Sequence, residues 1–106
     1  MPESATGRLA GKVAMISGAA RGQGEAEARL FVSEGAEVIL GDVLDKQGEA
    51  VAEDLGDAAI YRHHDVTSEE HWAAAVGTAI GAFGQLDVLV NNAGVLKFAR
   101  DRKSVV

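Results

Sequence analysis

Three glycines, Gly18, Gly22 and Gly24, spaced four and then two apart, punctuate the stretch SGAARGQG from Ser17 to Gly24. Glycine in such a turn permits positive φ and lets backbone approach a ligand with no Cβ in the way. Where a helix follows, its first amides and the positive end of its dipole favour an anion, so the chemistry on offer is phosphate binding. Ser17 can add a hydroxyl donor or brace the turn, and the competing reading of all three glycines is a turn selected for tight packing. A P-loop is excluded, because no G-x-x-x-x-G-K-[ST] occurs. The ordinary G-x-G-x-x-G fails too, because Glu27 stands where its third glycine would be.

Other reactive side chains offer less. His63 and His64 are adjacent on an expected strand, so they point to opposite faces and cannot share one metal, while His71 leans toward solvent on a helix. No metal site is expected, and the histidines read as solvated or hydrogen-bonded. Glu25 and Glu27 lie two apart on a helix and face different ways, which does not support paired-carboxylate chemistry. Tyr61 has no lysine near it in sequence, and a tyrosine general acid needs a cation to bring its pKa toward neutrality.

The elements that must position the loop are legible as apolar runs alternating with stretches of helical period. Strands are expected over 12–17, 36–42, 58–65 and 86–94, and helices over 22–33, 45–55 and 67–83. In the last helix Trp72, Val76, Ala79, Ile80 and Phe83 share one face, and Thr67 with Glu70 makes a capping box. Gly35, Gly56 and Gly84 stand where left-handed C-cap residues belong. The order β-α-β-α-β-α-β implies an α/β, Rossmann-type, doubly wound parallel sheet, with SGAARGQG at its first strand-to-helix turn. With 106 residues the chain is one small domain.

Composition removes several function classes. The apolar share of 47% and charged share of 25% are those of a folded globular protein. Ten basic against sixteen acidic side chains give a net charge of -6, and no basic cluster adjoins exposed aromatics, so nucleic acid is not an expected partner. With no cysteine there is neither a disulfide framework nor a thiolate nucleophile. Neither a leader nor a run of apolar residues long enough to span a bilayer is present, so no membrane association is expected and the chain reads as cytoplasmic.

The loop S-G-A-A-R-G-Q-G, the acid Asp42 ending the second strand, Asp65-Val66 after the third, and N-N-A-G at Asn91 to Gly94 after the fourth occur in that order. Together they resemble the short-chain dehydrogenase/reductase family, whose loop reads T-G-x-x-x-G-x-G. GKVAMISGAARGQG, GDVLD and NNAGVLKF look most like bacterial hydroxysteroid dehydrogenases of the 3α/20β type. The resemblance implies strand order 3-2-1-4 and a dinucleotide-binding unit over residues 1–96, with a divergent charged tail over 97–106. It implies NAD-dependent alcohol/ketone interconversion, the partners being NAD(H) and, for the whole enzyme, a small alcohol or ketone with steroids among the candidates, and homo-oligomers for the full family.

Cofactor-binding residues are then expected at Ser17, Gly18, Arg21, Gly22, Gln23, Gly24, Asp42, Val43, Asp65, Val66, Asn91, Ala93 and Gly94. Asp42 at a strand's carboxyl end can accept both adenosine ribose hydroxyls and would repel a 2′-phosphate, which points to NAD. Arg21 is the opposing hint, since a cation there suits NADP, and Asp42 can also be read as a turn aspartate. By resemblance Asp65 and Val66 hold the adenine, although they are also the flank of a capped helix, and Asn91 to Gly94 support the sheet beside the cofactor ribose. The family's catalytic serine and Tyr-x-x-x-Lys lie beyond the fourth strand, and no Tyr-x-x-x-Lys occurs in these residues. No catalytic residue is therefore assigned. The expectation is the cofactor half of an oxidoreductase, the alternative a non-catalytic nucleotide-binding module or a non-functional truncated product.

Overall fold

The computed structural model describes residues 7–92. Within them β1 (Val13–Ser17), α1 (Gly22–Ser33), β2 (Glu37–Asp42), α2 (Asp45–Leu55), a short 3-10 turn (Gly56–Ala58), β3 (Ala59–His63), α3 (Glu69–Phe83) and β4 (Val88–Asn91) follow in order. All pairings are parallel and the sheet order is β3-β2-β1-β4, as expected from the sequence. The chain leaves β1, builds outward through β2 and β3, then crosses to the other side of β1. That reversal opens a crevice at the carboxyl ends of β1 and β4.

The near-continuous apolar runs follow from helices on both faces. Ala14, Ile16, Val38 and Leu40 pack with Ala28 of α1 and Val51 of α2, whereas Val13, Met15 and Ile39 pack with Trp72, Ala75 and Ala79 of α3. Every residue of β1 is buried. The central strands β1 and β2 therefore alternate between two cores, and neither face of β1 is polar.

The elements depart from expectation at several ends. Lys12 and Ala36 precede their strands, and Ala58 belongs to the 3-10 turn. β4 begins at Val88 rather than Leu86, because the Asp87 carboxylate accepts the Val13 amide at 2.9 Å while its own amide donates to the Val13 carbonyl at 2.8 Å. The third helix starts at Glu69, not Thr67. Asp65 Oδ1 accepts both the amide and the hydroxyl of Thr67, at 2.9 and 2.7 Å, so Thr67 closes a turn and Ser68 becomes the N-cap, accepting the His71 amide at 3.1 Å. The capping signal was displaced by one residue.

The apolar face of α3 is also narrower than its sequence suggests. Trp72, Ala75 and Ala79 are buried with Phe83 packed beside them, but Val76 is 38% and Ile80 49% exposed. The buried stripe is centred on Trp72, Ala75, Ala79 and Phe83, and the helical period puts Val76 and Ile80 at its edge. Of the expected C-cap glycines, Gly84 is left-handed at φ 87° and ψ −6°, whereas Gly56 has ψ −147° and leads into the 3-10 turn instead. Among the described residues no helix is long and apolar enough to cross a membrane.

Candidate functional site

The chain after β1 turns twice through positive φ, at Gly18 (φ 67°) in the loop and at Gly22 (φ 61°), the first residue of α1. The two competing readings of the glycines divide by position. A Cβ on Gly24 would collide with the Gly18 carbonyl, so Gly24 is there for packing of α1 against the loop. A Cβ on Gly22 would meet nothing within 4 Å, so at Gly22 the structure keeps open space beside a backbone that a β-branched residue resists. The first amides of α1, those of Gly22, Gln23 and Gly24, have no intrahelical acceptor. They face a cleft of about 420 Å³.

Gly18, Arg21, Gly22, Gln23 and Gly24 line one side of this cleft, and Asp42, Val43 and Leu44 line another. Loop and β2 are tied together by Asp42. Its carboxylate accepts the amides of Ala20 at 3.0 Å, Val43 at 2.7 Å and Leu44 at 3.2 Å. The turn-aspartate reading of Asp42 is thus correct as far as it goes, and the same side chain still borders the cleft. A carboxylate has about four lone-pair sites and three are used, so some acceptor capacity remains. Arg21 is the exposed N-cap of α1, makes no capping hydrogen bond, and brings a cation to the same cleft.

Ser17 braces rather than binds. It is fully buried, and its hydroxyl donates to Asn91 Oδ1 at 2.9 Å while accepting the Asn92 amide at 3.0 Å. Asn91 accordingly lies behind the cleft, joining β4 to β1. Asn92 does reach the cleft wall, and its Nδ2 donates to the Ser17 carbonyl at 3.1 Å and to Glu27 Oε1 at 2.7 Å. Asp65 and Val66 are not among the lining residues: Asp65 holds the turn into α3, and the Val66 carbonyl accepts the Trp72 indole N–H at 2.9 Å. Ala93 and Gly94 lie outside the described residues, as does the 97–106 tail. Leu44 and Asn92 were not singled out from sequence. Asn92 sat inside a recognised motif, and Leu44 was readable as one more apolar residue between Val43 and the next helix.

The only tyrosine is engaged elsewhere. Tyr61 lines a separate cleft with Asp45, His63 and His71, and its hydroxyl shares its one proton between Asp45 Oδ1 at 2.5 Å and the Asp42 carbonyl at 2.6 Å. Burial, then the Asp45 carboxylate, push the phenol above its ordinary range, which opposes proton donation near neutral pH. The hydrogen bonds from Tyr61 and His63 in turn hold Asp45 below the usual carboxylate range. His63 and His64 diverge: His63 pairs with Asp45 at 2.8 Å near the surface, while His64 is buried against Trp72. Among the described residues no three His, Asp or Glu side chains are placed to hold a metal ion.

Comparison with known proteins agrees with this architecture. The short chain dehydrogenase family model matches residues 12–104. The chain is 59% identical over 91 residues to 3-alpha-(or 20-beta)-hydroxysteroid dehydrogenase of Mycobacterium tuberculosis, covering 86% of this chain and 35% of the relative. It is 48% identical over 97 residues to trans-4-hydroxycyclohexanecarboxylate dehydrogenase of Sinomonas cyclohexanicum, covering 83% and 38%. The crystal structure of 3-ketoacyl-(acyl-carrier-protein) reductase from Brucella melitensis, complexed with NADH, superposes with a TM-score of 0.74 at 42% identity, over 76% of this chain and 33% of that one. The chain thus spans about a third of the length of the relatives it matches. Glycine loop, sheet order and sequence agree, and the chain belongs to the short chain dehydrogenase family as its N-terminal, cofactor-binding region.

Proposed function

We propose that this region binds NAD in preference to NADP and serves an NAD-dependent oxidoreductase of the cytoplasm. The observation that carries the reading is Asp42, a carboxylate at the end of β2 that borders the cleft beside the loop glycines. A carboxylate there accepts ribose hydroxyls and repels a 2′-phosphate. The open space at Gly22 fits a pyrophosphate over the first amides of α1, and Val43 and Leu44 give the adenosine end an apolar wall. NAD, when bound, supplies the hydride-transfer chemistry, and the residues described here bind and orient it. By their names, two of the proteins compared above act on hydroxysteroids and a hydroxycyclohexanecarboxylate and the third is a 3-ketoacyl reductase, which supports a secondary alcohol or ketone as substrate of the whole protein.

For these 106 residues taken by themselves, the function is binding without turnover, because the single tyrosine is hydrogen-bonded to Asp45 and lies at a different cleft. The test of cofactor choice is calorimetric titration with NAD and NADP. NAD binds at least about tenfold tighter, and Asp42→Ala narrows that gap by weakening NAD. Tighter NADP binding by the unmodified chain overturns the reading.

A further inference from the structure

Glu27 occupies the position where the ordinary dinucleotide fingerprint requires its third glycine, for close packing of helix on strand. Here the side chain has a different use. Its two carboxylate oxygens take amides from two residues that line the cleft: Oε1 accepts Asn92 Nδ2 at 2.7 Å, and Oε2 accepts Gln23 Nε2 at 3.3 Å. Gln23 belongs to the first turn of α1 and Asn92 follows β4, so one carboxylate ties the helix to the far wall of the cleft. The bond to Asn92 is short and charge-assisted, the stronger kind of hydrogen bond. Asn92 is fixed from its other side by the Ser17 carbonyl.

We propose that Glu27 is a positioning residue for the half of the dinucleotide that lies beyond the pyrophosphate, acting through Asn92. The inference rests on the dinucleotide reading above. With sheet order β3-β2-β1-β4, Asp42 and Asn92 stand on opposite sides of β1, and the amides of α1 open between them. A ligand lying across these strand ends puts its adenosine on the β2 side and its second nucleoside on the β4 side. Losing the Glu27 clamp therefore frees the wall that the second nucleoside meets and leaves the Asp42 wall as it was.

ADP and NAD separate the two walls, because ADP carries the adenosine and pyrophosphate alone. In the 106-residue chain, Glu27→Ala weakens NAD about tenfold in calorimetric titration and changes ADP by less than about twofold, the size expected for one charged hydrogen bond. Glu27→Gln keeps an acceptor for Asn92, and exposed Gln23 can turn its own amide oxygen toward the new side chain, so this variant recovers most of the NAD affinity. Asn92→Asp sets a like charge against Glu27 without altering α1, and reproduces the selective loss of NAD. Equal losses of ADP and NAD, or NAD affinity unchanged in folded Glu27→Ala and Asn92→Asp, overturn the positioning role alone. An unmodified chain that binds neither ligand overturns the dinucleotide reading and this inference with it.

Discussion

His64 makes the stability of this fold pH-dependent in a window that can be worked out. It is 2% exposed, its ring meets Trp72 at a centroid distance of 4.1 Å, and neither Nδ1 nor Nε2 has a hydrogen-bond partner. Burial, reinforced by the field of His71, lowers its pKa from 6.5 to about 4. Between these values the unfolded chain binds a proton that the folded chain refuses, so stability rises with pH across the window and is complete above the unfolded value. At about pH 5 the linkage cost is roughly 2 kcal/mol, against a few tenths at about pH 7. A small domain has only about 5–15 kcal/mol in all. The perturbation is His64→Leu, which keeps an apolar volume against Trp72 and removes both unmet polar atoms. At neutral pH the variant gains about 1 kcal/mol from the lost desolvation penalty, and the gain grows to about 3 kcal/mol near pH 5. Asp45, Asp65 and Asp87, all held below the ordinary carboxylate range, lose their contributions only at more acidic pH and are common to both proteins. Urea denaturation of the pair at several pH values reads the difference directly. A gap between them that stays constant from about pH 7.5 to pH 5 refutes the reasoning.

Three further outcomes follow from the cleft. Gly22→Val abolishes measurable NAD binding while the protein stays folded, because the side chain fills the space beside the loop at φ 61°; an unchanged titration in a folded variant removes the loop from the site. Gly24→Ala instead lowers the midpoint of thermal unfolding by roughly 10 °C, since its Cβ must displace the Gly18 backbone, and an unshifted midpoint contradicts that packing. The 106-residue chain with NAD and a panel of hydroxysteroids and simple secondary alcohols produces no change in nicotinamide absorbance; turnover that vanishes in Tyr61→Phe overturns the assignment of Tyr61 to the Asp45 network.

Topology was legible because it is written in periodicity. Val13 to Ser17 and Val38 to Gly41 are buried on both faces, and only helices on both sides of a parallel sheet account for such runs. Boundaries were less legible, since they turn on competition among neighbouring polar groups. Thr67 and Ser68 both carry a capping hydroxyl, and what decided between them was Asp65 claiming the Thr67 amide, a contact invisible to a three-residue spacing rule. The exposure of Val76 and Ile80 likewise depends on the buried stripe of α3 being centred on Trp72, Ala75 and Ala79, which periodicity alone does not fix. In the site, Asp42 and the loop glycines carried their own signals. Asn92 and Glu27 stood at motif positions, but their partnership did not show, because it lies in a contact between residues 65 positions apart.

The two walls of the cleft are braced in the same manner, by side chains outside the motif that marks the site. On the β2 side, the Tyr61 hydroxyl sits between the Asp42 carbonyl and the Asp45 carboxylate and shares its proton with both, so β3 and the start of α2 hold the strand end that presents the Asp42 carboxylate. Gly48 makes this possible, since a Cβ there would run into the Tyr61 ring. On the β4 side, Ser17 bonds both Asn91 and Asn92, and Glu27 holds Asn92 from the helix. The middle, where the first amides of α1 open, is the stretch left without side-chain cover at Gly22. A site hydrogen-bonded at both walls and bare between them has its wall side chains already placed, which lowers the ordering cost of binding. The tyrosine and the glutamate, neither of which the loop motif contains, thus serve the same end from opposite edges of β1.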